Sequence, residues 1–252
     1  MTIAELYEFL NERIPPSLSC EWDNDGLMCC PDPDREVERV LIALDVTEDV
    51  VRRAVEGGYD LIVSHHPLIF RPLKSITPYS ITADKLISLI KADISVMSFH
   101  TRLDAVDGGV NDILAEMLGI VSPHPFGDGI GRIGSLEKPT RLKDFVELIK
   151  DLLGCDAVNV ANAGRMVHTV AVLGGSGSDE VMAAKNAGAD TYLTGELSYH
   201  HLCDARENGV NLISAGHFHT ENHICDYLAS LISEADDYIE IDIESSLNYE
   251  IF

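Results

Sequence analysis

Apolar and polar positions along this chain switch repeatedly between a helical spacing and short apolar blocks of strand length. Residues 3–13 (IAELYEFLNER) place apolar side chains at helical intervals and predict a first helix. VERVLIALDVT (37–47) is a strand block. EDVVRRAVEGG (48–58) returns to helical spacing and ends on glycines, a common helix stop. A strand at 60–64, a helix near 82–92, a strand at 94–99 and a helix at 107–119 carry the alternation on. It resumes with a helix at 140–153, a strand at 168–175, a helix at 178–188 and a strand at 190–196. A helix at 198–208, a strand at 211–216 and a helix at 220–233 complete it. DYIEIDIES (237–245) alternates apolar and acidic, as a half-exposed final strand would.

Strand–helix alternation of this kind predicts mainly parallel sheets flanked by helices, an α/β protein. Residues 120–138 (VSPHPFGDGIGRIGSLEKP) break the pattern with Gly and Pro and little apolar periodicity, and form the expected boundary. Two α/β lobes are expected on that basis: residues 1–125 joined by 214–252, and residues 126–213.

Three of the expected strands run straight into metal-ligand residues. DLIVSHHPLIF carries His65 and His66, ISVMSFHTRLD carries His100 and Asp104, and NLISAGHFHTE carries His217, His219 and Glu221. In open parallel sheets, ligands bind beyond the carboxyl ends of the strands. Adjacent side chains in extended backbone point to opposite sides, so His65 and His66 suit two different ions better than one. His217 and Glu221, four residues apart, share a helix face, and a carboxylate can bridge two ions. With Asp104 as a hard oxygen ligand the set is His65, His66, Asp104, His217 and Glu221. Such parts build two-metal hydrolytic sites, and the N/O shell suits Zn, Mn, Fe, Co or Ni without selecting among them. Taken singly, His65 and His66 read first as surface or hydrogen-bonded histidines, and Glu221 has the alternative of a helix-end or solvated acid. His100 is a ligand, a partner of Asp104 or a proton carrier. His219 lines the cleft at most.

Two further motifs carry possible chemistry. TGELSYHH (194–201) puts Glu196, His200 and His201 after a strand, as proton carriers or as a capped helix with solvated histidines. GGSGSDE (174–180) could hold an anion on its backbone N–H groups, or could be a turn that needs positive φ. It lacks the lysine of a P-loop.

Charge narrows the partners. The 252 residues hold 42 acids against 18 Lys and Arg, a net charge of −24, which repels nucleic acid and anionic lipid at long range. No apolar run reaches the roughly 18 residues that span a bilayer. The acidic amphipathic start does not resemble a signal peptide, so the cytoplasm is the expected location. Six scattered cysteines form no C-x-x-C pair and suit a reducing compartment.

The chain resembles the NIF3-like family, also known as GTP cyclohydrolase 1 type 2 homologues, in its short form without an inserted domain. The motifs are EWDNDGL (21–27), SHHPLIF (64–70), HTRLD (100–104), GGSG (174–177), TGELSYHH (194–201) and GHFHTE (216–221), in order over nearly the whole length. The resemblance implies two α/β lobes, a toroidal homohexamer with dinuclear sites facing an internal cavity, and metal ligands at His65, His66, Asp104, His217 and Glu221. The chain departs from the family pattern at Asp25, where a small or apolar residue is usual, at the variable Arg102, and in the tail SSLNYEIF.

Three functions compete at this point. A metal-dependent hydrolase would act on a nucleotide-like or small-metabolite substrate. A metal chaperone or regulatory scaffold would use the same ligands without turnover. A nucleic-acid binder is disfavoured by the acid excess.

Overall fold

The computed structural model describes residues 1–247 and 249. In chain order the elements are α1 (Ile3–Arg13), β1 (Gly26–Cys29), β2 (Arg39–Ala43), α2 (Glu48–Gly57), β3 (Leu61–Ser64), α3 (Ile81–Lys91), β4 (Ser95–Ser98) and α4 (Thr101–Ala105). Next come α5 (Val110–Met117), β5 (Val121–Phe126), β6 (Gly131–Thr140), α6 (Leu142–Leu153), β7 (Asn159–Ala161), β8 (Val167–Ser176) and α7 (Val181–Asn186). The chain continues through β9 (Thr191–Glu196), α8 (Tyr199–Asn208), β10 (Asn211–Ser214), α9 (His217–Glu221), α10 (Ile224–Ala235) and β11 (Glu240–Ile243). Among these helices none is long and apolar enough to cross a membrane.

The described chain divides into two compact units, one of residues 1–106 with 224–247, the other of residues 107–223 with Tyr249. The first holds a five-stranded sheet in the order β1-β4-β3-β2-β11, parallel except for β1 against β4. Strands β3 and β4 are buried along their whole length, which is why β3 opens on the apolar run Leu61–Val63. Leu41, Ala43, Ile62 and Val96 face Val50, Ala54, Leu86 and Leu89 of α2 and α3. α10 packs on β2 and β11 and against α1. Thr2 opens α1 with a capping box to Glu5, and Gly58 closes α2 at φ +64°, the glycine stop expected there.

The second unit holds a six-stranded sheet, β5-β6-β8-β9-β10-β7. Its centre, β8-β9-β10, is parallel, but β5, β6 and β7 join antiparallel. Helices α5 and α6 cover one face through Leu114, Phe145 and Ile149. α7 and α8 cover the other through Val181, Ala184 and Ala205.

The expected boundary at 120–138 is a hairpin instead. β5 is an exposed edge strand, so it carries no apolar periodicity and tolerates Pro123 and Pro125, which a central strand would not. Asp128-Gly129 in the turn was the available hairpin signal. The division therefore falls near residues 106/107 and 223/224 rather than 125/126 and 213/214. Of the tail SSLNYEIF, residue 248 and residues 250–252 lie outside the described set. Ser246, within it, hydrogen-bonds Asp45.

Candidate metal centre

Each unit carries its own set of ligand-type side chains. In the first, β3 and β4 run parallel with Ser64 opposite Ser98, so the residues just past the two strands emerge side by side. His65 and His66 come directly after β3. His100 comes after β4 and starts the short α4, which carries Asp104. The imidazoles cluster, with ring centroids 4.9 Å (His65–His66), 5.4 Å (His65–His100) and 5.6 Å (His66–His100) apart. Ring nitrogens of all three lie within 4.8 Å of one another, close enough to share an ion.

Every one of these histidines is gripped through Nδ1 by an oxygen. His65, fully buried, places Nδ1 2.9 Å from the Phe99 carbonyl oxygen. A carbonyl only accepts, so Nδ1 carries the hydrogen and the neutral ring keeps its lone pair on Nε2. His66 Nδ1 lies 2.7 Å from Asp45 Oδ1, and His100 Nδ1 lies 2.8 Å from Asp23 Oδ1. Carboxylate–histidine pairs of this kind fix the tautomer and orientation of metal-binding imidazoles. His65 Nε2 faces Asp104 Oδ1 at 3.6 Å. Imidazole nitrogen and carboxylate oxygen are both ordinary ligands of divalent transition metals.

Asp23 is tuned for the orienting role. Burial pushes its carboxyl up, but hydrogen bonds from His100 and Thr101 and the charge of His100 outweigh that and hold it well below the usual carboxylate range. Thr101 donates to it from both N–H (3.0 Å) and hydroxyl (2.6 Å). The two departures flagged in the sequence, Asp25 and Arg102, are each other's partners. Arg102 Nε lies 3.1 Å from Asp25 Oδ2, with the guanidinium 1% exposed. Arg102 also donates to Asn11 Oδ1 and the Ile14 carbonyl, pinning α4 to the end of α1.

In the second unit β9 and β10 are parallel, with Thr194 opposite Ser214, and bring Glu196 and His217 out together. His217 starts α9 rather than ending a strand, and its Nε2 lies 3.1 Å from Glu221 Oε2, the i, i+4 pair expected. Its Nδ1 is 2.9 Å from Glu196 Oε1, the same carboxylate grip seen in the first unit. Glu196 thus touches His217 directly. His200 and His201, in α8, have ring centroids 4.1 Å apart, tilted by 42°, and gather on Ser198 Oγ, 2.7 Å from His201 Nδ1. His219 turns to the Leu153 carbonyl, away from the His217–Glu221 pair.

The glycine-rich GGSG segment serves this pair. Gly175 has φ +65°, and a Cβ there would lie 2.2 Å from Glu221 Oε1 and 3.0 Å from His217 Nε2. The Gly174 N–H is taken by Asn111 and the Gly175 N–H by Thr220. Close approach to α9 therefore accounts for both glycines, and the alternative of an anion cradle at these two amides is set aside.

Sequence reading missed Asp45 and Asp23 as orienting groups. Asp45 lies two residues past β2, beside β3 in the sheet, an acid at the end of an apolar run. That position was the available signal.

The sequence profile of the Duf34/NIF3 family (NGG1p interacting factor 3) matches residues 1–248. A Clostridium perfringens protein named GTP cyclohydrolase 1 type 2 homolog is 38% identical over 229 residues, covering 88% of this chain and 87% of its own. A crystallised Staphylococcus aureus hypothetical protein superposes with a TM-score of 0.88 at 29% identity, covering 100% and 99% of the two chains. A Bacillus cereus protein related to NIF3 gives a TM-score of 0.87 at 25% identity, covering 100% and 98%. On this breadth of agreement, the chain belongs to the Duf34/NIF3 family.

Proposed function

We propose that this protein is a metal-dependent hydrolase that uses a pair of divalent transition-metal ions on a nucleotide-like or other small-metabolite substrate. One observation carries the reading: His65, His66, His100 and His217 are all held at Nδ1 by an oxygen, which assigns Nε2 of each as the donor atom. For His66, His100 and His217 that oxygen belongs to a carboxylate, the pairing that orients metal-binding imidazoles. The donors fit the ions, since neutral imidazole and carboxylate suit Zn, Mn, Fe, Co or Ni.

In this reading His65, His66, Asp104, His217 and Glu221 are the residues that would hold the ions. His100 adds a further nitrogen. When bound, such ions polarise a substrate oxygen and lower the pKa of a coordinated water toward neutrality. The chain's own residues do the rest. Asp45, Asp23 and Glu196 orient the rings. His200 and His201 are the proton carriers, and Glu196 passes from that role to orienting His217. The name borne by the Clostridium perfringens relative makes a purine nucleotide the first substrate to screen. A homohexamer in the cytoplasm belongs to the same reading, with light scattering as its check.

Elemental analysis of untagged protein, beside Glu221→Gln, tests the centre. About two ions per chain, falling sharply in the variant, supports it. Less than one in both, not restored by added Zn or Mn, overturns it. Metal-loaded protein that turns over none of a panel of nucleotides and small esters would leave a chaperone or scaffold as the better reading.

A further inference from the structure

Beside the histidine cluster of the first unit stand two aromatic side chains that the metal reading does not use. Trp22 is 64% exposed and Phe70 44% exposed, although both neighbour the half-buried His100. The three rings meet nearly at right angles. Trp22 and Phe70 have centroids 6.2 Å apart at 75°, Trp22 and His100 6.2 Å at 77°, and Phe70 and His100 6.1 Å at 89°. They are fixed there. Asp23, next to Trp22, is locked to His100 and Thr101. The Asn24 amide donates to the Ile69 carbonyl, next to Phe70.

A large aromatic left open to water costs apolar hydration unless something flat covers it. Rings set perpendicular in edge contact leave their broad faces for a ligand, because edge-to-face packing uses one face at most. A planar ring lying on the Phe70 or Trp22 face would sit beside His100, whose ring centroid is 5.6 Å from that of His66. An aliphatic ligand would gain apolar contact alone, and a simple cation only its attraction to a ring face. Conjugated heterocycles gain stacking from the faces and can turn ring nitrogens or carbonyl oxygens to the imidazoles.

We infer that Trp22 and Phe70 form a stacking site for a planar nitrogen heterocycle, which they hold edge-on to the histidine cluster. This deepens the hydrolase reading by naming the substrate class, and it rests on that reading only for the claim that the bound ring is the substrate. Trp22 and Phe70 are binding residues, with no part in proton transfer.

The chain contains a single tryptophan, so its intrinsic emission reports residue 22 directly. Full-length protein stripped of metal with chelator is titrated with guanosine, cytidine and nicotinamide, and with ribose as the non-planar control. Saturable quenching by at least one heterocycle at up to roughly millimolar concentration, and none by ribose, is the expected result. Phe70→Leu raises that dissociation constant about tenfold, the scale of one lost stacking partner. Phe70→Tyr restores it. No saturable quenching by any of the three, or equal quenching in Phe70→Leu, overturns the inference. So does emission that shifts blue with protein concentration and resists ligand, since a second copy of the chain would then be covering Trp22. Because the titration is metal-free, it separates the two claims. Quenching without metal content would sink the hydrolase alone, and metal content without quenching would sink the stacking site alone.

Discussion

Asp25→Ala is expected to be among the most damaging single changes in the first unit outside its apolar core. The Arg102 guanidinium is 1% exposed and the Asp25 side chain 7%, at 3.1 Å. The Arg102 Cζ sits 4.5 Å over the Phe99 ring, and Nη1 is committed to Asn11 and Ile14. Removing the carboxylate leaves that cation dry and uncompensated, which costs about 3–5 kcal/mol. It also removes the acceptor for Ser19 Oγ and for the His100 N–H. At about 2–4 °C per kcal/mol the midpoint falls by roughly 6–20 °C. Replacing both members, Asp25→Leu with Arg102→Met, removes the charge together with its partner and should cost about 2 kcal/mol less than the sum of the singles. The assay is urea denaturation followed by Trp22 emission, which reads the unit in which both residues lie. A coupling below about 0.5 kcal/mol would show the two charges to be independent and would refute the reasoning.

The same contacts dictate other outcomes. Asp45→Asn and Asp23→Asn are expected to weaken metal binding by about 10–100-fold each, because an amide no longer fixes the His66 and His100 tautomers. Competition with a chromogenic chelator measures it, and unchanged affinity in both variants would remove the orienting role. Gly175→Ala is expected to cost both stability and metal, since its Cβ would lie 2.2 Å from Glu221 Oε1 at a φ of +65°. Gly58→Ala, strained but in open space, should cost stability alone. Burial, followed by the charges of Asp226 and Asp45, pushes the Cys225 thiol up to about 12. A folded pKa above the ordinary thiol value means that this group's contribution to stability is complete below about pH 8.5 and declines as pH rises toward 12. Iodoacetamide labelling at about pH 8 should accordingly mark the exposed Cys203 and spare Cys225. Equal labelling rates would contradict it.

How much of this was legible beforehand varies with what each residue does. The buried parallel strands of the first unit announce themselves because a strand covered on both faces has no exposed polar face, as the run Leu61–Val63 of β3 shows. β5 was invisible for the opposite reason: an edge strand exposed through Val121–Pro125 has no face to encode. The histidines were legible by type, and the i, i+4 spacing of His217 and Glu221 survives as a contact of 3.1 Å. Their pairing with orienting acids was not legible. Asp23 and Asp45 meet His100 and His66 across 77 and 21 residues of sequence, and only strand order brings them together. Asp25 and Arg102, each odd on its own, make sense only as a pair 77 residues apart.

The net charge of −24 bears differently on the ion and on the organic ligand. A divalent cation is drawn toward an acidic protein, whereas a phosphorylated ligand is repelled until cations neutralise the donors. A neutral heterocycle is indifferent. Without metal, guanosine should therefore bind the Trp22–Phe70 corner more tightly than its 5′-monophosphate at about 0.01 M salt, where the screening length is about 30 Å. The gap should narrow at about 0.1 M, where that length falls to about 10 Å. Adding Zn or Mn should invert the order, because the ions then supply the positive charge that the chain lacks. Trp22 quenching measures all three conditions. Tighter binding of the monophosphate in chelated protein at low salt would mean that a basic subsite exists near the corner, and the ions would no longer be needed to explain how an anionic substrate is held.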